Sequence, residues 1–368
     1  MKSKLKTDGQ YGKRLRLSHD EVDIILQRRA DTLDNLNNNT ALDIHLEERG
    51  IDKKDVVSVK HWQSGSGDYR FSIVTKENIG LDQDQIFAKV NDFVSNYSPD
   101  YPEIKRTKGT HLLVINPADI HIGKYANEIE TNQSYDCATA VERVLEGVTG
   151  LIHKAQGFEI DKVLFCIGND ILHIDNVYST TTKGTYQDTD GKWWEHYEIA
   201  LMLYVRCVEI LREIAPVDIL HSMSNHDYQS GFHLAHTLKS WFRKAKDVNF
   251  DISVAYRKYY KYGTNLLGIE HGDGAKMQDL PLLMAQENPV DWGTTTHRYW
   301  YLHHLHHKIK HKWMDGKDFI GVTVEYMRSP SSADSWHSRK GYTGAPLACE
   351  GFVHEKTTGQ VARLTHYF

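Results

Sequence analysis

Cysteine is scarce in this chain: Cys137, Cys166, Cys207 and Cys349 are the four in 368 residues, and no two form a CxxC pair. That spacing argues against a disulfide framework or a zinc ribbon and fits a reducing cytoplasm. Long apolar runs are missing as well. The richest stretch, Ile199 to Ile214, is interrupted by Arg206, Glu209, Arg212 and Glu213, so nothing offers the roughly 20 apolar residues of a membrane helix. The opening Met1-Lys-Ser-Lys-Leu-Lys has charge but no apolar stretch behind it, unlike a secretory signal. Positive charge is not in excess either. With 44 Lys and Arg against 49 Asp and Glu, the net charge is −5, so nucleic acid would have to be held by a local patch rather than a basic coat. Internal repeats and long low-complexity tracts are absent, and a hydrophobic share of 40% excludes disorder along the whole length.

What the chain has in abundance is histidine, with 22 residues, several in short runs. Imidazole is the commonest metal ligand and the usual acid or base near neutral pH, so the placement of these residues decides the reading. Residues 1–17 form a basic tail, with Lys2, Lys4, Lys6, Lys13, Arg14 and Arg16 against Asp8 alone. Over residues 18–97, Ser18 and Glu21 make a capping box before the apolar stripe Val22, Ile25, Leu26, Leu33 and Leu36. A second short helix is expected from Ala41 to Arg49, closed by Gly50. Val57–Gln63 and Tyr69–Thr75 then alternate about Ser64-Gly-Ser-Gly-Asp, as a β-hairpin does. Two helices and a hairpin outline a small α+β module of winged-helix type, and a docking or oligomerisation domain fits equally well. Pro99 and Pro102 among charged residues place a linker at 98–110.

From residue 111 to 368 strands and helices alternate. Apolar runs at Leu112–Ile115, Val163–Ile167, Val217–Leu220, Leu266–Ile269 and Tyr299–Leu302 are separated by helical segments, including Tyr135–Ala155, Trp194–Ile214 and Phe232–Ala245. The pattern predicts an α/β sandwich in place of an all-β or all-α fold. Just beyond each apolar run stands a group able to bind metal: Asp119 and His121, then Asp170, then Asn225 with His226, then His271, then His304 and His306. Ligands in α/β folds bind outside the carboxyl ends of strands. One such histidine is more often a hydrogen-bonded structural residue; five strand ends that each deliver a ligand are hard to explain by packing.

The five blocks read Asp119-Ile-His121, Gly168-Asn-Asp170-Ile-Leu-His173, Ser224-Asn-His-Asp227, His271-Gly272 and His303-His-Leu-His306. In this order they resemble the calcineurin-like metallophosphoesterases, over about residues 111 to 310, and the resemblance implies an α/β fold built as a four-layer α+β sandwich of mixed sheets flanked by helices. Three of that family's glycines are replaced, by Asn169, Ser224 and His303. Asn tolerates positive φ; the other two replacements raise a question about the local backbone. The resemblance implies one cation held by Asp119, His121, Asp170 and His306, and a second by Asp170, Asn225, His271 and His304, with Asp170 shared. Two divalent cations against two carboxylates leave a net positive site, which attracts a phosphate and not a neutral ester. By the same resemblance a hydroxide between the cations attacks phosphorus in line. Nitrogen and oxygen ligands without thiolate suit Mn²⁺, and also Fe, Ni²⁺ or Zn²⁺, whereas Ca²⁺ and Mg²⁺ prefer fewer imidazoles. His226 would protonate the leaving oxygen, with Asp227 or another acid orienting it.

His173, three residues after Asp170, is similar to the variant found in SbcD-type repair nucleases, where that histidine contacts substrate near the metals. Aromatic and basic residues interleave at Tyr256–Tyr262, Lys308–Trp313 and Ser335–Tyr342. Such segments suit single-stranded nucleic acid, and amphipathic strands with solvated basic faces explain the first two as well. The third reads as a substrate loop in which Arg339, Lys340 or Tyr342 meets a phosphate or a base. The insert Asn176–Trp194 is placed to wall the cleft and set substrate choice. The expectation is a two-metal phosphodiester hydrolase acting on nucleic acid, DNA more than RNA, in a bacterial or phage-infected cytoplasm. A phosphatase or phosphodiesterase of nucleotides and other small esters is the alternative; a binding or scaffold protein on a vestigial site is a third. A homo-oligomer and an ATPase partner both stay open.

Overall fold

The structure is a computed structural model that describes residues 40–63, 69–75, 99, 101–106, 108–304, 316–341 and 344–368. The chain divides into two compact units, Met1–Tyr97 and Ser98–Phe368. In the first unit α1 (Thr40–Glu48) precedes the antiparallel strands β1 (Val56–Gln63) and β2 (Tyr69–Thr75), in register from Gln63 opposite Tyr69 to Ser58 opposite Val74, with a shift before Val56 opposite Thr75. Leu42 and Leu46, one helical turn apart, bury themselves against Ile51, Val56, Val59 and Ile73. The helix expected from Ser18 and the basic tail lie outside the described residues.

The second unit begins with a segment that docks instead of hanging free as a linker. The Tyr101 ring stacks on Phe242 at 4.9 Å and accepts a hydrogen bond from Trp241 Nε1, and Arg106 pairs with Asp247 at 2.7 Å. Thereafter come β3 (His111–Ile115), α2 (Glu128–Thr131), α3 (Cys137–Lys154), β4 (Ile160–Gly168), α4 (Trp193–Arg212), β5 (Val217–Ser222), α5 (Tyr228–Trp241) and β6 (Val248–Asp251). They are followed by β7 (Lys258–Tyr262), β8 (Asn265–Ile269), α6 (Leu280–Glu287), α7 (Pro289–Thr294) and β9 (His297–Leu302). The chain continues through β10 (Gly316–Phe319), β11 (Val322–Tyr326), α8 (Ser335–Lys340), β12 (Ala348–Glu355) and β13 (Gly359–Tyr367). A six-stranded sheet has the order β13-β12-β3-β4-β5-β6, and a five-stranded sheet the order β10-β11-β9-β8-β7. Strands β3 to β6 run parallel, as do β8, β9 and β11; the outer pairings β12–β3, β12–β13, β7–β8 and β10–β11 are antiparallel.

Side-chain alternation sorts the core into layers, because successive residues of a strand face opposite sides. Leu113, Ile115, Val163, Phe165 and Ile167 pack under the helices α3, α4 and α5, whose Val148, Leu203 and Leu238 meet them. Leu112, Val114, Leu164, Cys166 and Phe352 point the other way and meet Leu267, Ile269 and Tyr301 of the five-stranded sheet. The far face of that sheet, with Leu266, Trp300 and Val324, is covered by Leu280 and Met284 of α6. The result is helix, sheet, sheet, helix: the α/β sandwich expected from the strand and helix pattern, in the four layers that the resemblance implies. Among the described residues, no helix is long and apolar enough to cross a membrane.

Between the sheets lies a histidine whose ionisation is costly. Asn265 donates its Nδ2 to the carbonyls of Tyr262 and Glu355, which leaves its Oδ1 to accept from His354 Nδ1 at 3.3 Å. His354 Nε2 in turn accepts from the Tyr301 hydroxyl at 2.7 Å. Burial pushes this imidazole down to about 3. A histidine that ionises normally only when unfolded draws stability away as pH falls below its unfolded value, because the unfolded chain takes up the proton and the folded one does not. His354→Gln lacks this loss. Its cost in urea unfolding should therefore shrink by about 2 kcal/mol from about pH 7.5 to about pH 5; an unchanged difference would mean that His354 protonates in place.

Candidate metal centre

The carboxyl ends of β3, β4 and β5 in one sheet and of β8 and β9 in the other share one rim, and the loops leaving them are cross-linked by backbone bonds. Asp119 N donates to Asn169 O at 2.8 Å, His121 N to Asp170 O at 2.9 Å, and His303 N to His271 O at 2.9 Å. The two sheets are joined at the rim where the Asp119 carboxylate accepts from His304 N. Ligand atoms of Asp119, His121 and Asp170 lie within 4.8 Å of one another, as do those of Asp170, His271 and His304. Asn225 joins the second group, its Oδ1 2.9 Å from His271 Nε2. Asp170 belongs to both groups. His306 lies outside the described residues.

The backbone is bent to achieve this. Of the seven described non-glycine residues with positive φ, five are here: Asp119 (51°), His121 (52°), Asn169 (51°), Asp170 (61°) and His304 (68°). Left-handed backbone costs a non-glycine residue of order 1–3 kcal/mol and persists where surrounding contacts over-determine it, commonly at functional sites. Asn169 therefore adopts the conformation for which Asn is suited. Neither Ser224 nor His303 has positive φ, so neither position needs a glycine. Ser224 Oγ accepts from Asp170 N at 2.9 Å and donates to the Asp227 carboxylate. His303 turns away from the cluster; its Nδ1 donates to Glu270 O, and its Nε2 lies 2.9 Å from Asn116 Oδ1. Gly168 is a true requirement, since a Cβ there would collide with the carbonyl of Ser222 on the neighbouring strand.

The ionisable groups of the cluster are buried against one another. Burial pushes the Asp119 carboxyl up to about 7, with His271 opposing. Burial acts on Asp170 in the same direction, but the imidazoles of His271 and His226 hold it well below the usual carboxylate range. Burial, aided by Asp170, pushes Asp227 up to about 7. Burial and His271 push His304 down to about 4, and burial holds His173 well below the ordinary histidine value. Asp170 Oδ2 is buried 3.1 Å from His271 Nε2 and 4.0 Å from His121 Nε2, yet no donor is aligned to bond it. A buried carboxylate oxygen with no aligned donor is costly. A pair of divalent cations fits this donor set.

Two further histidines sit beside the ligands. His226 donates its backbone N–H to Asp170 Oδ1 at 3.0 Å, and its Nδ1 is bonded to His173 O at 2.9 Å. Asp227 does not orient it, contrary to the sequence expectation: both Asp227 oxygens are taken, by Ser224 Oγ and by Leu172 N. The carbonyl of His173 does that work. His173 itself is buried, stacked on the His226 ring at 5.3 Å, with its Nδ1 3.3 Å from His121 Nδ1. The contact leaves His121 Nε2 facing Asp170, so His173 steers both neighbours rather than opening to solvent. His121, His173 and His226 also form a three-imidazole group able to hold a cation by themselves.

Elsewhere the outcome differs by segment. The stretch expected to be a substrate loop is the short helix α8, capped by Asp334, whose side chain accepts from His337 N, and ended by left-handed Gly341. Asp334 binds its own amide donors more favourably than a loop would, which is why a helix forms. Arg339 and Lys340 are exposed on its last turn, with no described bond to the cluster, and Tyr342 lies outside the described residues. The basic and aromatic run at β7 is consumed internally: Arg257 pairs with Glu287, Lys258 with Asp251 and Lys261 with Asp291, while Tyr260 donates to Asp218. The run Lys308–Trp313 is outside the described residues. Composition also gave no hint of Lys124, buried and 3.4 Å from Asp334, because its partner is far away in the chain.

No protein-family model matches the chain, and no curated protein matches it. Among solved structures it is similar to the solution NMR structure of Thermotoga maritima protein TM1076, at 13% identity over 71% of this chain and 100% of that one, with a TM-score of 0.28. A likeness of that size carries no argument about chemistry.

Proposed function

We propose that this chain is a metal-dependent phosphodiester hydrolase acting on nucleic acid, DNA in preference to RNA. The observation that carries the reading is the meeting of Asp119, His121, Asp170, Asn225, His271 and His304 from five strand ends around an unbonded, buried Asp170 oxygen. Asp119, His121 and Asp170 would hold one cation, with His306 as a further ligand, and Asp170, Asn225, His271 and His304 the other. Two divalent cations, Mn²⁺ for this nitrogen-rich set, would supply Lewis-acid charge and an acidified water for in-line displacement at phosphorus. His226 is fixed through Nδ1, which leaves Nε2 to deliver a proton to the departing oxygen. The order of the five motif blocks, similar to calcineurin-like metallophosphoesterases, supports the reaction class. The spacing of His173 after Gly168-Asn-Asp170 is similar to the SbcD style, while its burial against His121 and His226 gives it a positioning role in place of the substrate contact expected from the sequence.

With Mn²⁺ the protein is expected to cleave a labelled single-stranded oligonucleotide, and EDTA to stop it. Hydrolysis of bis-p-nitrophenyl phosphate with the oligonucleotide left intact would move the assignment to small esters. Bound Mn²⁺ without turnover of either would remove it.

A further inference from the structure

The segment after the shared aspartate is a built hairpin. Thr180 and Tyr186 pair antiparallel, Gln187 N donates to Ser179 O at 2.8 Å, and Thr181 N donates to Thr185 O at 2.8 Å. Gly184 N closes the tip onto Thr181 O, with a φ of 87° that suits glycine. The hairpin is fastened to the metal-site side of α5. Asp175 accepts from Thr182 Oγ1 (2.9 Å), Ser230 N (2.7 Å) and Ser230 Oγ (2.8 Å), and Thr182 Oγ1 accepts from Tyr228 N (3.2 Å). Thr182 N donates to the carbonyl of Asn225 itself at 3.3 Å. These bonds use up first-turn amides of α5, so that helix end is not an anion site. They also set the next residue, Lys183, at the edge of the ligand cluster.

Lys183 is exposed and makes no ion pair or hydrogen bond among the described residues, whereas buried Lys124 and Lys258 are each paired with an aspartate. Tyr178 and Tyr186, on the two arms of the hairpin, are 78% and 69% exposed. An unpaired cation next to the residue bonded to Asn225, on a hairpin that also carries two open aromatic rings, matches a strand of alternating phosphates and bases.

We propose that residues 175–190 form a substrate-holding arm for single-stranded DNA, in which Lys183 binds the backbone phosphate next to the one cleaved. The proposal rests on the phosphodiesterase reading above and specifies its substrate class. A small chromogenic diester has no second phosphate, so Lys183 contributes nothing to its binding. Lys183→Ala is expected to raise KM for a short single-stranded oligonucleotide by about 5- to 10-fold. In fluorescence anisotropy with the same oligonucleotide, the slope of log affinity against log salt should fall by about 0.7, the value for one lost phosphate contact on a single strand. Mn²⁺ binding and turnover of bis-p-nitrophenyl phosphate should be unchanged, and Lys183→Arg should restore the oligonucleotide KM. An unaltered KM and salt slope in Lys183→Ala, with wild-type cleavage intact, would overturn the arm and leave the phosphodiesterase reading standing. Equal losses on both substrates would overturn the neighbouring-phosphate assignment. A wild-type protein that binds Mn²⁺ and cuts neither substrate would overturn the parent reading and the arm together.

Discussion

Asp170→Asn is expected to lower kcat for diester hydrolysis by at least about 10³-fold, on the scale of removing a principal electrostatic group from a water-poor site. The substitution is nearly isosteric. An amide oxygen can still accept the His226 N–H that Asp170 Oδ1 accepts now, so the loop need not move. What changes is the second atom. Asp170 Oδ2 faces His271 Nε2 and His121 Nε2 as an unbonded acceptor, and the amide puts N–H donors there, which repel a cation. Because Asp170 belongs to both donor groups, both cations should be weakened. Melting gives a readout independent of turnover. A cation that binds only the folded state adds about 2.7 kcal/mol at 100 times its Kd. Wild-type Tm should rise with Mn²⁺ and the variant's should not, while the variant's Tm in EDTA reports whether the fold survives. Wild-type Mn²⁺ stoichiometry in Asp170→Asn would contradict the shared-ligand assignment.

The second large effect is at His226. His226→Asn is expected to bind the full complement of Mn²⁺ and lose about 10²- to 10⁴-fold in kcat, the range for a positioned general acid. The geometry supports the separation: His226 is outside the two carboxylate-bearing donor groups, and its Nδ1 is occupied by His173 O. An acid that protonates a leaving oxygen matters most when that oxygen leaves badly. Loss should accordingly be severe for DNA, whose leaving group is an alkoxide, and mild for bis-p-nitrophenyl phosphate, whose leaving group needs little help. A matching fall in Mn²⁺ content would instead place His226 with His121 and His173 as a ligand group, which their spacing permits.

The strands could be read before any coordinates because their signal is local. A parallel strand covered on both faces is a short, continuous apolar run. Val163–Ile167 and Leu266–Ile269 are such runs and lie within β4 and β8. The candidate ligands stand two to six residues beyond each run, so the candidate set followed from the same local reading. The resemblance, which implies two histidines two apart, points to His304 and His306 in this run, since Leu305 removes the other pairings. The structure then turns His303 into the core and leaves His304 against His271 at 3.2 Å.

Neighbours far apart in the chain were another matter. That the carbonyl of His173 orients His226, that Asp227 is tied to Ser224 and Leu172, and that Lys124 meets Asp334 all depend on which loops abut at the rim. The basic run at β7 fitted a nucleic-acid surface and a solvated basic face alike, and the pairing with Glu287, Asp251 and Asp291 decides against the first. Lys183 looked unremarkable until the hairpin beneath it was seen pinned to Asn225. Chain order therefore settles which residue types stand at each strand end, because backbone periodicity and sterics act over a few residues. Which charges remain unpaired, and so free to act on something outside the protein, is settled only by sheet order and loop packing, since Coulomb and hydrogen-bond partners are chosen in space.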